Sequence, residues 1–196
     1  MLFIVMQRET GSALVYLAFF LMFYREGMPG SVLFTGVAAI IYFVVGIRYD
    51  SVFLLHTPSS VGKFSVLLMV LIFTASLVYV YCHGKKQLNA ILLYGLGLTV
   101  LSFLFSEFVI PFDVVWAQLI ISAVLIGYLI YQALSTRITN YMYIALFTLG
   151  SIFFFYSADY VLNDVMEPHQ RVRINVLLGL DEDLSGAGYN VHQSEI

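Results

Sequence analysis

Charge is what this sequence lacks most. Only 11% of its 196 residues are Asp, Glu, Lys or Arg, against roughly a quarter in soluble domains. A soluble globule of this size needs more polar surface, so a cytosolic enzyme and a disordered tail are both excluded. The nine Lys and Arg residues form no basic block, and the net charge is −3. No phosphate-tracking stripe exists, and no nucleic-acid partner is expected. A single cysteine, Cys82, excludes a disulfide framework and a Cys-based zinc site. What is present instead is apolar: 61% of residues are hydrophobic, and mean hydropathy is +0.91. The composition is that of a polytopic membrane protein whose first partner is the lipid bilayer.

A bilayer core of about 30 Å needs roughly 20 apolar residues in a helix. Charge-free runs of about that length place six spans, at about 10–25, 31–47, 64–82, 88–106, 114–134 and 141–158. Breakers separate several of them, at Gly27-Met28-Pro29-Gly30, His56-Thr57-Pro58-Ser59-Ser60 and Pro111. The runs are continuous rather than alternating, which favours helices over a barrel. The expected fold is all-α, a polytopic transmembrane helical bundle over residues 1–166. A polar segment, 167–196, then reads as the start of an extracytoplasmic loop.

Successive loops alternate between faces. Arg25, Lys85, Lys86 and Arg137 fall on one face, with Glu26 as its only acid. The other holds Arg8, Arg48, Lys63, Arg171 and Arg173 together with the remaining eleven acids. Four basic residues concentrated in three short loops assign the first face to the cytoplasm. Residues 167–196 and the Gln7-Arg8-Glu9 end then lie outside.

Several apparent motifs fail on inspection. Thr57–Phe64 shares only Gly62-Lys63 with a phosphate-binding loop. The run from Asp181 opens like a calcium loop, but its twelfth position is His192 rather than Glu. Gly95-Leu96-Gly97 lies inside a span, where glycine is common. His56, His83, His169 and His192 show no metal-binding spacing and read as loop histidines in water. Ala123 and Gly127 form a small-xxx-small pair suited to close helix contact. Gln118, the one strongly polar side chain well inside a span, is expected to bond a neighbouring helix rather than line a cavity. Phe153-Phe154-Phe155-Tyr156 reads as lipid-facing or core.

Two stretches carry more. Gln7-Arg8-Glu9-Thr10-Gly11-Ser12-Ala13 sets an ion pair and small residues against an apolar run. Arg171-Val172-Arg173-Ile174 leads through an acidic linker with Asp183 to Gly186-Ala187-Gly188-Tyr189, then Gln193-Ser194. Two guanidiniums there can engage an anionic phosphate bidentately, and the glycines permit tight backbone bends. Together these tracts resemble the SEDS family. Gln7, Gly11, Ser12 and Ala13 match its Gln-Pro-Asp-Leu-Gly-Thr-Ser/Ala motif, with Glu9 in place of the aspartate. Arg173, Gly186, Gly188, Tyr189, Gln193 and Ser194 match its later tract, which is the more specific of the two.

The resemblance implies a multi-pass protein of the bacterial inner (plasma) membrane that polymerises lipid II into peptidoglycan during cell-shape control and division. Its implied partners are lipid II, a class B penicillin-binding protein and the elongation machinery. Its implied cofactor is a divalent metal in the full enzyme, with no metal ligand assigned in this chain. Arg171 and Arg173 are the candidates for positioning the loop or the pyrophosphate. The family places about one helix between the two motifs. Five spans follow the first one here, so about four are extra, and an even number leaves both motifs on one face. The family's catalytic aspartate, in a His-Thr-Asp element, has no counterpart in this chain, so no catalytic residue is assigned. The resemblance therefore implies an internal fragment, inactive by itself. A small six-span transporter and a non-catalytic membrane scaffold remain as alternatives. The spans lack intramembrane charges and an internal repeat, which weighs against transport.

Overall fold

The computed structural model describes residues 22, 24–166, 170, 171 and 174. Five helices among them are long and apolar enough to cross a membrane. They are α1 (Gly30–Arg48), α2 (Val61–Cys82), α3 (Lys85–Phe108), α4 (Val114–Thr136) and α5 (Thr139–Val165). The all-helical, multi-pass architecture is thus the one expected. The span placed at 10–25 falls almost wholly outside the described residues, and so does most of 167–196.

The chain divides at Ile41/Tyr42 into two compact units. In the first, the chain turns at Gly27, whose φ of 107° suits glycine, before α1 begins. In the second, α2, α4 and α5 pack on one another and α3 flanks them. The buried cluster in one half of this bundle is made of apolar and tyrosine side chains. Ala75 and Val78 of α2 meet Ile91 of α3, Leu125, Leu129 and Ala133 of α4, and Tyr141, Ile144 and Ala145 of α5. Lipid is as apolar as these side chains, so close van der Waals fit rather than water exclusion holds such helices together. The opposite surfaces of the helices expose large apolar residues, Leu101, Val124, Leu146 and Phe153 among them. That is the pattern of a bundle solvated by acyl chains.

Two short turns close one end, called inner after the side the charge pattern leads one to expect. Each begins with a left-handed residue that stops the helix, His83 at φ 51° after α2 and Arg137 at φ 56° after α4. The outer end is built differently, from side-chain caps. Ser60 caps α2 by accepting from the Lys63 amide at 3.4 Å, and Asp113 caps α4 by accepting from the Val115 amide at 3.0 Å.

Two glycines let helices touch at that end. A Cβ at Gly62 would lie 2.4 Å from the Gly46 carbonyl oxygen, and one at Gly46 would lie 2.3 Å from Phe155 Cε2. Close approach therefore occurs where α1 meets α2 and α5. Among the described residues it does not occur at the expected Ala123/Gly127 pair. Both residues sit on the exposed face of α4, and a Cβ at Gly127 meets nothing within 4 Å. The spacing was right for a contact, but the partner helices lie on the other side.

Two π-helical stretches widen the helices, Ile91–Leu96 in α3 and Val161–Val165 at the end of α5. The first holds Gly95, against which Leu71 packs so closely that a Cβ would sit 2.8 Å from Leu71 Cδ1.

Candidate functional site

The outer rim of the second unit gathers most of the polar chemistry among the described residues. The C-terminal ends of α1, α3 and α5 and the N-terminal ends of α2 and α4 all finish there. Lys63 sits three residues inside the cap of α2 and acts as the hub. Its Nζ lies 3.2 Å from Asp159 Oδ2 on α5 and 3.8 Å from Asp50 Oδ1 after α1. Asp50 also accepts from Ser60 Oγ at 3.0 Å. Asp159 accepts from Asn163 Nδ2 at 2.9 Å, one turn further along α5.

A second knot pins the loop between α1 and α2 to α4. Ser59 is fully buried. Its hydroxyl donates to Asp113 Oδ1 at 2.8 Å and accepts from the Val114 amide at 2.7 Å. A third knot pins the same loop to α3. Glu107 Oε1 lies 2.6 Å from His56 Nδ1, and Glu107 Oε2 accepts from the His56 amide at 3.3 Å. His56 is therefore no plain solvated loop histidine. Its side chain is 87% exposed, yet it covers a carboxylate that is only 12% exposed.

These carboxylates are committed to lysine, imidazole, hydroxyl, side-chain amide and backbone partners. Among the described residues no group of three His, Cys, Asp or Glu side chains is arranged to hold a metal ion. The described residues thus do not fit the implied divalent cation. A small, mostly apolar cleft lies beside Asp159. It is lined by Phe43, Gly46, Ile47, Phe155, Ala158, Asp159 and Leu162, and it is too small for a sugar. What the rim does chemically is to neutralise charge at a membrane edge and to lock helix ends together.

Of the residues expected to matter, Arg171 is described. Its Nη2 donates to the Asn163 carbonyl at the end of α5. Gln7, Glu9, Gly11, Arg173, Gly186, Gly188, Tyr189, Gln193 and Ser194 lie outside the described residues. Gln118 departs from expectation. It is fully buried, but neither its Nε2 nor its Oε1 has a protein partner among the described residues. Its backbone carbonyl does accept from Ser122 Oγ. The polar bond between helices is made elsewhere, by Thr74 and Thr148, whose hydroxyls are 2.8 Å apart. The aromatic run divides by helix face: Phe153 is exposed and Phe155 is buried.

Reading the sequence alone missed Lys63 as a hub and the His56–Glu107 pair. The available signal was weak: each residue borders an apolar run, where a charge needs a partner or water. No family model, curated protein or solved structure matches the chain.

Proposed function

We propose that the chain is part of a SEDS-type peptidoglycan glycosyltransferase similar to the rod-shape-determining member RodA. Such a protein polymerises lipid II in the bacterial plasma membrane beside a class B penicillin-binding protein and the elongation machinery. One observation carries the reading. Arg173-Ile174, Asp183, Gly186-Ala187-Gly188-Tyr189 and Gln193-Ser194 follow one another in the order of the family's extracytoplasmic tract. The multi-pass bundle is compatible with it. So is the sorting of charge in the second unit, with Lys85, Lys86 and Arg137 at the inner turns and Asp50, Glu107, Asp113 and Asp159 at the outer rim. On this reading the inner turns face the cytoplasm.

Most of the described bundle is then an insertion between two motifs of the site. Its rim holds α5 in place, and α5 leads into the segment carrying the arginines. Arg171, bonded to the end of α5, acts as a loop-positioning residue. Arg173 is left as the group that engages the lipid pyrophosphate, for which a planar guanidinium is well shaped. The catalytic base belongs to the family's His-Thr-Asp element, which this chain does not contain. A divalent metal, where the full enzyme uses one, would bind with that element.

Complementation tests the reading. Rod-shaped cells depleted of their own elongation polymerase should keep their shape when the natural gene product carrying this chain is expressed with its class B partner. Arg173→Ala should abolish the rescue while leaving membrane levels of the protein unchanged. Rescue by the Arg173→Ala protein would remove the pyrophosphate role. Failure of the unaltered protein would remove the family assignment.

A further inference from the structure

The Tyr49–Ser60 connection is more than a linker. It doubles back on itself: Phe53 and Ser60 form an antiparallel bridge, the Leu54 amide donates to the Ser59 carbonyl at 2.9 Å and the Val61 amide donates to the Val52 carbonyl at 2.8 Å. The result is a small hairpin rooted on the rim by Ser59 and Ser60. Its tip is apolar and bare. Phe53 is 65% exposed and Leu55 is 71% exposed. Leu55 also takes a left-handed backbone, φ 49°, which a bulky residue adopts only under constraint. A hairpin that spends backbone strain to turn a leucine outward needs something apolar to receive it.

The position of the tip says what that is. Both bonds from His56 go to Glu107, in the last turn of α3. Helix α3 flanks the bundle and is the least buried of the five spans. Directly after Glu107, Phe108, Val109 and Ile110 are each more than half exposed. The His56–Glu107 bonds thus bring the hairpin tip, with Phe53 and Leu55, beside the end of α3 where Phe108, Val109 and Ile110 are exposed, an apolar patch at the end of a lipid-facing helix. Further down the same helix Leu101, Leu104 and Phe105 are exposed as well. The Glu107 carboxylate, the one charge in the patch, is covered by the His56 ring and by a backbone N–H.

We infer that the hairpin is a membrane-interface anchor, seating Phe53 and Leu55 among the upper acyl carbons and headgroups of the leaflet at that end of the bundle. The occupant of the patch is lipid, because Phe108, Val109 and Ile110 directly continue α3, the least buried of the spans. A bilayer boundary receives such side chains while the polar backbone of the hairpin stays at headgroup level. The His56–Glu107 pair is the strut that holds the tip down. This inference does not depend on the proposed function.

Fluorescence quenching tests it. The chain has one tryptophan, Trp116, so Trp116→Phe gives a silent background. Leu55→Trp then reports on the tip, and Phe53→Trp serves as an independent reporter should the first fold poorly. The protein is placed in vesicles of phosphatidylethanolamine and phosphatidylglycerol. The expected result is about twofold quenching by lipids brominated near the headgroup end of the acyl chain, and little by lipids brominated near its terminus. Aqueous iodide should leave the signal unchanged. Adding Glu107→Ala should release the tip and restore iodide access. Quenching by iodide in the unaltered strut background would place the tip in water and overturn the inference. Protection from both quenchers would mean that protein covers the patch, and would overturn it equally.

Discussion

Lys63 Nζ on α2 lies 3.2 Å from Asp159 Oδ2 on α5, a residue far away in sequence. The bond fixes the register of α2 against α5. The same antiparallel register recurs one-half span deeper, where Thr74 meets Thr148 at 2.8 Å. In both pairs the residue numbers sum to 222, so the two helices run past each other without slippage.

The rim charges make the first prediction. Lys63 is shared between Asp159 and Asp50. Removing one carboxylate leaves the lysine a partner, whereas removing the lysine leaves two carboxylates facing each other at a membrane edge. Lys63→Met should therefore cost more than Asp159→Asn. The pair is partly exposed, so the Lys63→Met loss should be about 1–2 kcal/mol, between surface and buried ion pairs. Thermal unfolding in detergent measures both. A larger loss for Asp159→Asn would show that Asp50 does not share the lysine.

Helix approach at the rim makes the second. Gly62→Ala would drive a methyl to 2.4 Å from the Gly46 carbonyl oxygen, a backbone atom that cannot turn aside. The expected cost is about 1–3 kcal/mol. Gly127→Ala meets open space and should be neutral or stabilising by about 0.5 kcal/mol through helix propensity. Equal effects from the two would contradict the packing described.

How much of this was legible in the sequence follows from what ends an apolar run. The expected spans begin at 64 and 88 because Lys63, Lys85 and Lys86 interrupt the hydropathy. The helices begin at Val61 and Lys85, because charge ends a run without ending a helix, and caps such as Ser60 decide the boundary. The expected last span stops at 158 before Asp159, yet α5 continues to Val165. The site was less legible. His56 and Glu107 are 51 positions apart, and nothing local to either names the other. Ala123 and Gly127 have the spacing of a contact, but spacing does not tell which face a partner occupies.

Gln118 provides the third prediction. A buried amide with neither polar atom bonded costs about 1–3 kcal/mol, and Met has nearly the same volume. Gln118→Met should raise the thermal midpoint, corresponding to about 1 kcal/mol of added stability. A lower midpoint would mean that the amide is satisfied by a bound water or a ligand between α4 and its neighbours.

The proposed function rests on residues that follow the bundle, and one assay reaches it most directly. The natural gene product carrying this chain is purified with its class B penicillin-binding partner and given lipid II. The account predicts glycan strands, with Arg173→Ala lowering their rate about tenfold to a hundredfold, as the loss of a charge-assisted phosphate contact implies. A pure, folded complex that forms no strands, or an Arg173→Ala protein that forms them at the unaltered rate, would contradict it.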